Sequence, residues 1–306
     1  MPNIRRQPLL TSVVGSYPTD GLPTRRAIER AVEDQLLAGV DVISDGQPRG
    51  DMIATFAARI PGIEQRDDGV WEVFDSLDVP GAPILAADYA LARELAARRA
   101  EVKGILTGPI TLALALRVAP EAPYNAPHDP ALILRLGEIL GRELAALVAA
   151  GARITQVDEP LLPQALADGR VPLELASDAL REFAATSTLP VLHTCGDVRD
   201  LANDLLLLNF AVYDIENSHI ANAAAFDDEQ LDFSGSKVSV GCVDTTSAEV
   251  ETTDVIRERV RAAMALIPAE RLWVSPDCGL RLLPREAALE KLKRMVAATQ
   301  DLRAEL

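Results

Sequence analysis

Eight short apolar segments recur along this chain of 306 residues, and helical patterns separate nearly all of them. Continuous apolar runs predict buried strands, whereas apolar residues three or four positions apart predict helices. The expected strands fall at residues 9–14, 40–44, 102–106, 153–157, 190–197, 211–215, 238–243 and 272–275. Strands that alternate with helices form parallel sheets, and eight such units predict an α/β fold, a single-domain (β/α)8 TIM barrel over 1–306.

Two local features refine this prediction. Residues 61–83 break the alternation with proline, glycine and an acidic turn, so we interpret them as a hairpin-like excursion within the domain. Apolar residues at helical spacing between 132 and 147 predict a long helix. Its charged positions are expected on the solvent side: Arg135, Glu138, Arg142 and Glu143.

Composition excludes several classes of function. Formal net charge is −16, from 46 acidic and 30 basic residues, and such a chain repels nucleic-acid phosphates and anionic lipid. No apolar run has membrane-spanning length, and no signal peptide is expected at the start. The three cysteines are widely spaced and odd in number, which favours a reducing compartment over a disulfide framework. We therefore expect a cytoplasmic protein without nucleic-acid or membrane partners.

Polar residues follow the predicted strands at the points where those strands end. They are Gly15-Ser16, Asp45-Gly46-Gln47, Asp158-Glu159, His193 with Cys195, Glu216, Asp244 and Cys278. In a barrel the carboxyl ends of all strands meet at one mouth, where active sites of this fold lie. Each position alone has an ordinary loop interpretation, but together they predict a functional site.

The strongest metal signal is His193-Thr194-Cys195. Residues two apart in a strand face the same side, so this imidazole and this thiol project together. An isolated pair of this kind is more often a buried cysteine beside a hydrogen-bonded histidine. Two later strand ends add Glu216 and Cys278, which complete a tetrahedral set that suits zinc.

Other ligand sets remain open from the residues alone. His219 could replace Glu216, and Cys242 could replace Cys278, although the apolar alternation before Cys242 favours a place in the core. Asp277 is better suited to accept a hydrogen bond from a ligand than to bind the ion. Since a carboxylate is the weakest of these ligands, an incoming thiol could displace it and react as a thiolate.

The chain resembles the catalytic C-terminal barrel of cobalamin-independent methionine synthase over nearly its whole length. The matching motifs, in the same order and spacing, are residues 14–18, 107–109, 156–160, 193–195, 215–216 and 276–280. The resemblance implies a zinc-dependent methyltransferase with the metal on His193, Cys195, Glu216 and Cys278. It also implies homocysteine as substrate, bound through Gly15-Ser16 and Asp158. We expect Asp158 and Asp244 to be catalytic, and the substrate contacts to be Gly15, Ser16, Gln47, Asp158 and Glu159.

Departures from the family pattern concern the methyl donor. The family's full-length enzymes carry a further N-terminal barrel, and a tryptophan that stacks on the pterin, where this chain has Ala115. Their proton-donating histidine corresponds to Thr246, and a glutamate that holds the substrate amino group corresponds to Gln47. A threonine hydroxyl is no general acid near neutral pH. Because cob(I)alamin leaves without a proton, we expect a methylated corrinoid, free or protein-bound, as donor.

Two alternative functions remain. The first is alkyl transfer to a different thiol such as coenzyme M, whose sulfonate would need a cation such as Arg49 or Arg281. Asp158 and Glu159 would be poorly placed for that anion. The second is a non-catalytic zinc-binding barrel, which the joint presence of the ligand set and the Gly15-Ser16 and Asp158 motifs disfavours.

Overall fold

The computed structural model describes residues 7–186, 189–227 and 235–306. Within them lie eleven strands. In chain order these are β1 (Leu10–Thr11), β2 (Val42–Ile43), β3 (Ile63–Gln65), β4 (Trp71–Val73), β5 (Glu101–Thr107), β6 (Arg117–Val118), β7 (Ile154–Asp158), β8 (Leu189–Thr194), β9 (Val212–Ile215), β10 (Lys237–Val243) and β11 (Leu272–Pro276).

Helices follow most of these strands. The α-helices are α1 (Thr24–Ala38), α2 (Ala54–Ala57), α3 (Ala86–Ala96), α4 (Pro109–Ala115), α5 (Pro130–Ala149), α6 (Leu162–Ala167), α7 (Leu173–Thr186), α8 (Ala202–Leu206), α9 (Thr253–Met264) and α10 (Arg285–Glu305). Two 3₁₀ turns lie at Asn222–Phe226 and Ala269–Arg271. Among the helices described, none combines the length and the apolar character that crossing a membrane requires.

Eight strands form one parallel sheet in the order β1-β11-β10-β9-β8-β7-β5-β2. A parallel bridge between Ser12 and Val42 joins the two end strands, so the sheet curves round into a barrel. All eight predicted strands are therefore present, and the predicted (β/α)8 barrel is confirmed. The hydrogen-bonded parallel ladder brings the carboxyl ends of the strands to one mouth.

The first two strands are shorter than the sequence predicts, because side chains replace part of the ladder. The Ser44 hydroxyl donates to the carbonyl of Gly15 at 2.6 Å. The Gln35 amide hydrogen-bonds both the N–H and the carbonyl of Ser44. These contacts satisfy buried backbone groups where the strands diverge into loops.

A second, three-stranded sheet lies outside the barrel. Strands β3 and β4 pair antiparallel within residues 61–83, and β4 also pairs in parallel with β6. On this sheet the buried Glu72 carboxylate accepts from Arg66 and Arg117. Residues 61–83 therefore contain a hairpin, and the hairpin is hydrogen-bonded to the segment after α4.

Apolar side chains fill the end of the barrel at which the strands begin, away from the mouth. They form a cluster separate from the main core: Leu10, Val42, Ile154, Leu189, Val191, Val212 and Trp273. By alternation along the strands, the next inward-facing positions are polar, and they include Lys103, Gln156, Asp214 and Ser275. This apolar cluster is the floor of the barrel interior, and the buried polar layer lies between it and the mouth.

The prediction for Glu143 is wrong. This residue of α5 is buried, and its two carboxylate oxygens accept the N–H groups of Ile84 and Leu85 at 2.8 and 2.7 Å. These N–H groups precede α3, so a carboxylate from another helix satisfies them. Helical spacing alone did not reveal this tertiary contact.

Replacing Glu143 should therefore destabilise the fold. Glu143→Ala leaves two buried N–H groups without an acceptor, and the free energy of unfolding should fall by about 2–3 kcal/mol. Urea denaturation followed by circular dichroism measures this change. The matched control is Glu138→Ala on the same helix, where an exposed pair with Arg135 contributes less than about 1 kcal/mol. Equal losses in the two variants would contradict the role assigned to Glu143.

Candidate functional site

A cavity of about 320 Å³ opens at the carboxyl end of the barrel. Six of the predicted metal ligands and substrate contacts line it: Ser16, Gln47, Asp158, His193, Cys195 and Cys278. Apolar walls come from residues such as Met52, Phe56 and Ile105. Concave sites of this size with a few convergent polar groups are typical of small-molecule sites.

Three potential metal ligands converge at the base of this cavity. The Nε2 atom of His193 lies 3.3 Å from Sγ of Cys195, which lies 4.0 Å from Sγ of Cys278. The ligand atoms of all three lie within 4.8 Å of one another. Two sulfur ligands at zinc–sulfur distances in a tetrahedral site lie about 3.8 Å apart. The three side chains therefore have the spacing that a single metal ion requires.

Local structure explains this convergence. Alternation along β8 turns His193 and Cys195 to the interior, and Gly196 at φ +84° turns the chain away directly afterwards. Cys278 follows β11, where the register with β10 shifts between Gly241 and Val243. Hydrogen bonding with the Cys195 thiol and with His193 lowers the pKa of the Cys278 thiol. The same hydrogen bond raises the pKa of the Cys195 thiol, so the pair favours one thiolate, at Cys278. A thiolate is the form that binds metals.

The sequence did not single out Asp214, which supports the histidine. Its Oδ2 atom lies 3.2 Å from Nδ1 of His193, so Nε2 is directed towards the thiols. Its Oδ1 atom accepts from the Ser275 hydroxyl at 2.8 Å. Although burial acts to raise it, the pKa of Asp214 is lowered, because the adjacent His193 imidazole favours its ionised form and Lys103 adds positive charge. Carboxylates in this position orient metal-binding histidines. The available signal in the sequence was that Asp214 lies two residues before Glu216, so that strand alternation turns both side chains to the same face.

Glu216 lies beside this cluster but does not belong to it. Its Oε1 atom accepts the backbone N–H of Gly196, next to Cys195. The alternative ligand His219 is also absent from the three-residue group, since its Nε2 atom lies 3.2 Å from Asp244 and its side chain is 60% exposed. Cys242 is fully buried in the main core, as its apolar surroundings predicted. Among the described residues, the cluster consists of one imidazole and two thiols.

Asp158 and Gln47 form the polar wall beside the cluster. The Gln47 amide donates to Oδ2 of Asp158 over 3.4 Å, and the Gln156 amide donates to Oδ1 at 2.6 Å. Burial raises the pKa of Asp158 to about 6, so this carboxylate is largely ionised at neutral pH. A long contact from Gln47 leaves Oδ2 available to a cationic group of a ligand.

Two glycines allow the close packing of this wall. A Cβ atom on Gly15 would lie 2.6 Å from the Ile105 side chain and 3.1 Å from Gln47. A Cβ atom on Gly279 would lie 2.0 Å from the Ser16 hydroxyl. The Gly15-Ser16 turn therefore fits between Gln47 and the Cys278 loop only because these positions lack side chains. Ser16 lines the cavity, whereas Gly15 supports it from behind.

The geometry does not support a substrate contact for Glu159. This residue is fully buried and does not line the cavity. Its two carboxylate oxygens accept the N–H groups of Ile110 and Thr111 at 2.9 and 2.7 Å, at the start of α4. A Cβ atom on Gly108 would lie 2.1 Å from Glu159 Oε1, which explains the glycine there. Glu159 satisfies the N-terminus of a helix.

Asp244 and Asp277 organise loops at the mouth. Asp244 accepts from the N–H and the hydroxyl of Thr246, each at 2.7 Å, and from His219; it does not line the cavity. Asp277 was expected to accept a hydrogen bond from a metal ligand. It instead accepts from the N–H groups of Asn217 and Ser218 at 2.8 and 2.9 Å, so it fixes the loop that follows Glu216.

Both candidate arginines line the cavity but differ in their partners. Arg49 forms a two-pronged ion pair with Asp88. Arg281 donates to the carbonyls of Gln47 and Gly50. Arg49 is therefore neutralised by a carboxylate, and among the described residues Arg281 has none within 4.0 Å.

Comparisons with known proteins agree with this geometry. A family model described as the cobalamin-independent synthase, catalytic domain, matches residues 18–301. A methionine synthase from Methanothermobacter thermautotrophicus is 37% identical over 314 residues, covering 95% of this chain and 99% of the relative. A 5-methyltetrahydropteroyltriglutamate–homocysteine methyltransferase from Mycolicibacterium paratuberculosis is 32% identical, covering 97% of this chain and 43% of that longer protein.

A solved structure shows the same fold. A B12-independent methionine synthase from a Shewanella species, in complex with selenomethionine, superposes with a TM-score of 0.81 at 22% identity. The match covers 97% of this chain and 98% of that one. A methyltransferase from Methanosarcina mazei matches with a TM-score of 0.68 at 16% identity. At these identities the likeness concerns the barrel architecture.

The cluster predicts that two of the three cysteines control metal content. Cys195→Ala and Cys278→Ala each remove one ligand, so plasma mass spectrometry should find most of the bound metal lost. Cys242→Ala changes a thiol in the core and should leave the metal content as in the wild type. Equal metal in all three variants would contradict the assignment of the cluster.

Proposed function

We propose that this chain, which belongs to the family of the cobalamin-independent synthase catalytic domain, transfers a methyl group to the thiol of homocysteine and forms methionine. Family membership follows from the match over residues 18–301 and from the full-length relative at 37% identity. The observation that carries the proposal is the shared cavity of the His193, Cys195 and Cys278 cluster and Asp158. The cluster can hold a metal ion, and the Asp158 carboxylate can receive an ammonium group.

Zinc is the metal that this donor set favours. Two thiolates and one imidazole suit a tetrahedral zinc site, and the Asp214 carboxylate orients the imidazole. We assign Glu216 as the fourth ligand, which the substrate thiol replaces, because its bond with Gly196 keeps it next to Cys195. When bound, the ion lowers the pKa of a coordinated thiol and so supplies a thiolate at neutral pH.

The remaining residues bind the amino-acid end of homocysteine. Asp158 receives the ammonium group, and Gln47 offers an amide oxygen or N–H beside it. The Gly15-Ser16 turn lies at the same wall. This arrangement holds the thiol towards the cluster while its amino group is fixed.

For the donor we propose a methylated corrinoid, free or bound to a protein. The methyl carbon forms a bond with sulfur while its bond with cobalt breaks, and the electron pair stays on cobalt as Co(I). No proton is needed by that leaving group, which agrees with Thr246, whose hydroxyl is engaged with Asp244. Ala115, at the end of α4, occupies the position that corresponds to the family's pterin-stacking tryptophan. Its small side chain offers no ring on which a pterin could stack.

Methyl-folate is a second candidate, and one contact favours it. Departure of the folate nitrogen requires a proton, and the pair of His219 with Asp244 places an imidazole at this mouth although residue 246 is a threonine. The longer relative at 32% identity is named for a methyltetrahydropteroyltriglutamate donor. His219 comes from the loop after β9, which strand-end motifs alone did not connect with Asp244.

A donor comparison with the zinc-loaded protein tests the proposal. With homocysteine, methylcobalamin should support methionine formation at least tenfold faster than methyltetrahydrofolate, as measured by chromatography of methionine. Coenzyme M in place of homocysteine should be a poor acceptor, because Asp158 offers a negative charge where a sulfonate would bind. Faster turnover with the folate would reject the corrinoid donor, and faster turnover with coenzyme M would reject the acceptor.

His219→Gln separates the two donors further. The variant removes the imidazole but keeps a hydrogen-bond donor for Asp244. Turnover with methylcobalamin should stay within about twofold of the wild type, while any turnover with methyltetrahydrofolate should fall by about 10²-fold, the usual range for a lost general acid. Arg199→Gln, an exposed change paired only locally with Asp197, is the control. Equal losses with both donors would assign His219 a structural role.

A further inference from the structure

Lys103 is a buried cation beneath the site that the proposed reaction does not use. It lies on the inward face of β5, two and four residues before Ile105 and Thr107, which line the cavity. Its side chain is 3% exposed, and its ammonium donates to Oε1 of Gln156. Burial lowers the pKa of Lys103 to about 8, while Asp214 and Asp158 act to raise it, so the charge is mostly retained at neutral pH.

A lysine at this depth opposes stability. Moving an ammonium group out of water costs several kcal/mol in proteins, even after local relaxation. A methionine of similar length would fill the space and extend the apolar floor. Packing alone therefore gives no reason for a cation here, and buried ionisable groups that approach a cavity are candidates for a functional role.

The contact with Lys103 fixes the orientation of the Gln156 amide. An ammonium group can only donate, so it must face the amide oxygen. The amide nitrogen then points the other way, where it donates to the carbonyl of Val14 at 2.8 Å and to Oδ1 of Asp158 at 2.6 Å. The Val14 carbonyl can only accept, so it favours the same orientation from the nitrogen side of the amide, while Lys103 holds the oxygen side.

The orientation of Gln156 determines which oxygen of Asp158 is free. Oδ1 accepts a short hydrogen bond from the Gln156 amide, and Oδ2 faces the Gln47 amide at 3.4 Å. A rotated Gln156 amide would place its oxygen against the Asp158 carboxylate, and that repulsion would turn the carboxylate away. The chain of contacts from Lys103 through Gln156 thus presents one oxygen to the cavity.

We propose that Lys103 is a positioning residue for the amino-acid substrate, acting through Gln156 to fix the carboxylate of Asp158 that receives the substrate ammonium group. This inference rests on the proposed function, in which homocysteine is the acceptor. It assigns the selectivity for an amino acid over other thiols to a residue that does not line the cavity.

The alternative is a purely structural role, in which Lys103 balances the charges of Asp214 and Asp158. Loss of the lysine would then weaken the fold and the binding of all thiols alike. A positioning role instead affects only thiols with an ammonium group. Homocysteine and 4-mercaptobutyrate differ only in that group, so their comparison separates the two roles.

Calorimetric titration of the zinc-loaded protein with each thiol tests the inference without a methyl donor. Lys103→Met and Gln156→Met should each weaken homocysteine binding by about tenfold to a hundredfold, the range for a lost charge-assisted contact. Binding of 4-mercaptobutyrate should change less than about threefold. The double variant should lose no more than either single variant, because both act through one contact chain. Metal content, measured in parallel, should stay at the wild-type level.

The control is Glu101→Gln, two residues earlier on the same strand. Glu101 is buried and pairs with Arg153 at the opposite end of the barrel, so its loss removes a buried charge far from the cavity. It should bind both thiols like the wild type. If Lys103→Met does not fold, Gln156→Met tests the same contact chain.

Other results overturn the inference. Equal weakening for the two thiols would show a structural role, and additive effects in the double variant would show that Lys103 does not act through Gln156. Wild-type protein that binds both thiols equally would show that Asp158 does not receive the ammonium group. The proposed function fails separately, if wild type binds homocysteine selectively but forms no methionine with either donor.

Discussion

Parallel pairing of eight strands around a closed ring is the constraint on which the site depends. His193 lies in β8 and Cys195 directly after it, Asp214 lies in β9, and Cys278 lies in the loop after β11. Residues 83 positions apart in sequence, Cys195 and Cys278, meet at 4.0 Å only because the ladder places the strand ends at one mouth. The shape of the mouth then follows from loops whose lengths and glycines the ladder does not set.

Most polar groups of the buried layer inside the barrel have a hydrogen-bond partner, which makes their burial tolerable. The buried polar layer has a lysine, a glutamine, carboxylates and hydroxyls above an apolar floor, where unpaired groups would each cost several kcal/mol. Hydrogen bonds between Gln156, Asp158 and Lys103 and between Ser275 and Asp214 satisfy that layer. The same contacts orient the groups exposed to the cavity. One hydrogen-bond network thus both satisfies buried polar groups and sets the orientation of Asp158.

Residues of the same chemical type have different roles at this mouth. Asp158 faces the cavity, whereas the next residue, Glu159, holds the start of α4. His193 joins the thiols, whereas His219 pairs with Asp244 at the rim. The alternation of a strand explains the first difference, because successive side chains face opposite sides. The second arises because His219 lies in a loop, whose path no periodicity encodes.

The barrel, the strand ends and the residue types at the mouth could be predicted from the chain, because apolar periodicity and strand alternation are local properties. His193 with Cys195 followed from that alternation, and Cys278 from its place after the last strand. Three sets of contacts appear only in the folded chain: Asp214 lies beside His193, Glu143 and Glu159 satisfy helix starts, and Lys103 reaches Asp158 through Gln156. These contacts join distant segments. Their distances depend on packing, which no local pattern in the chain specifies.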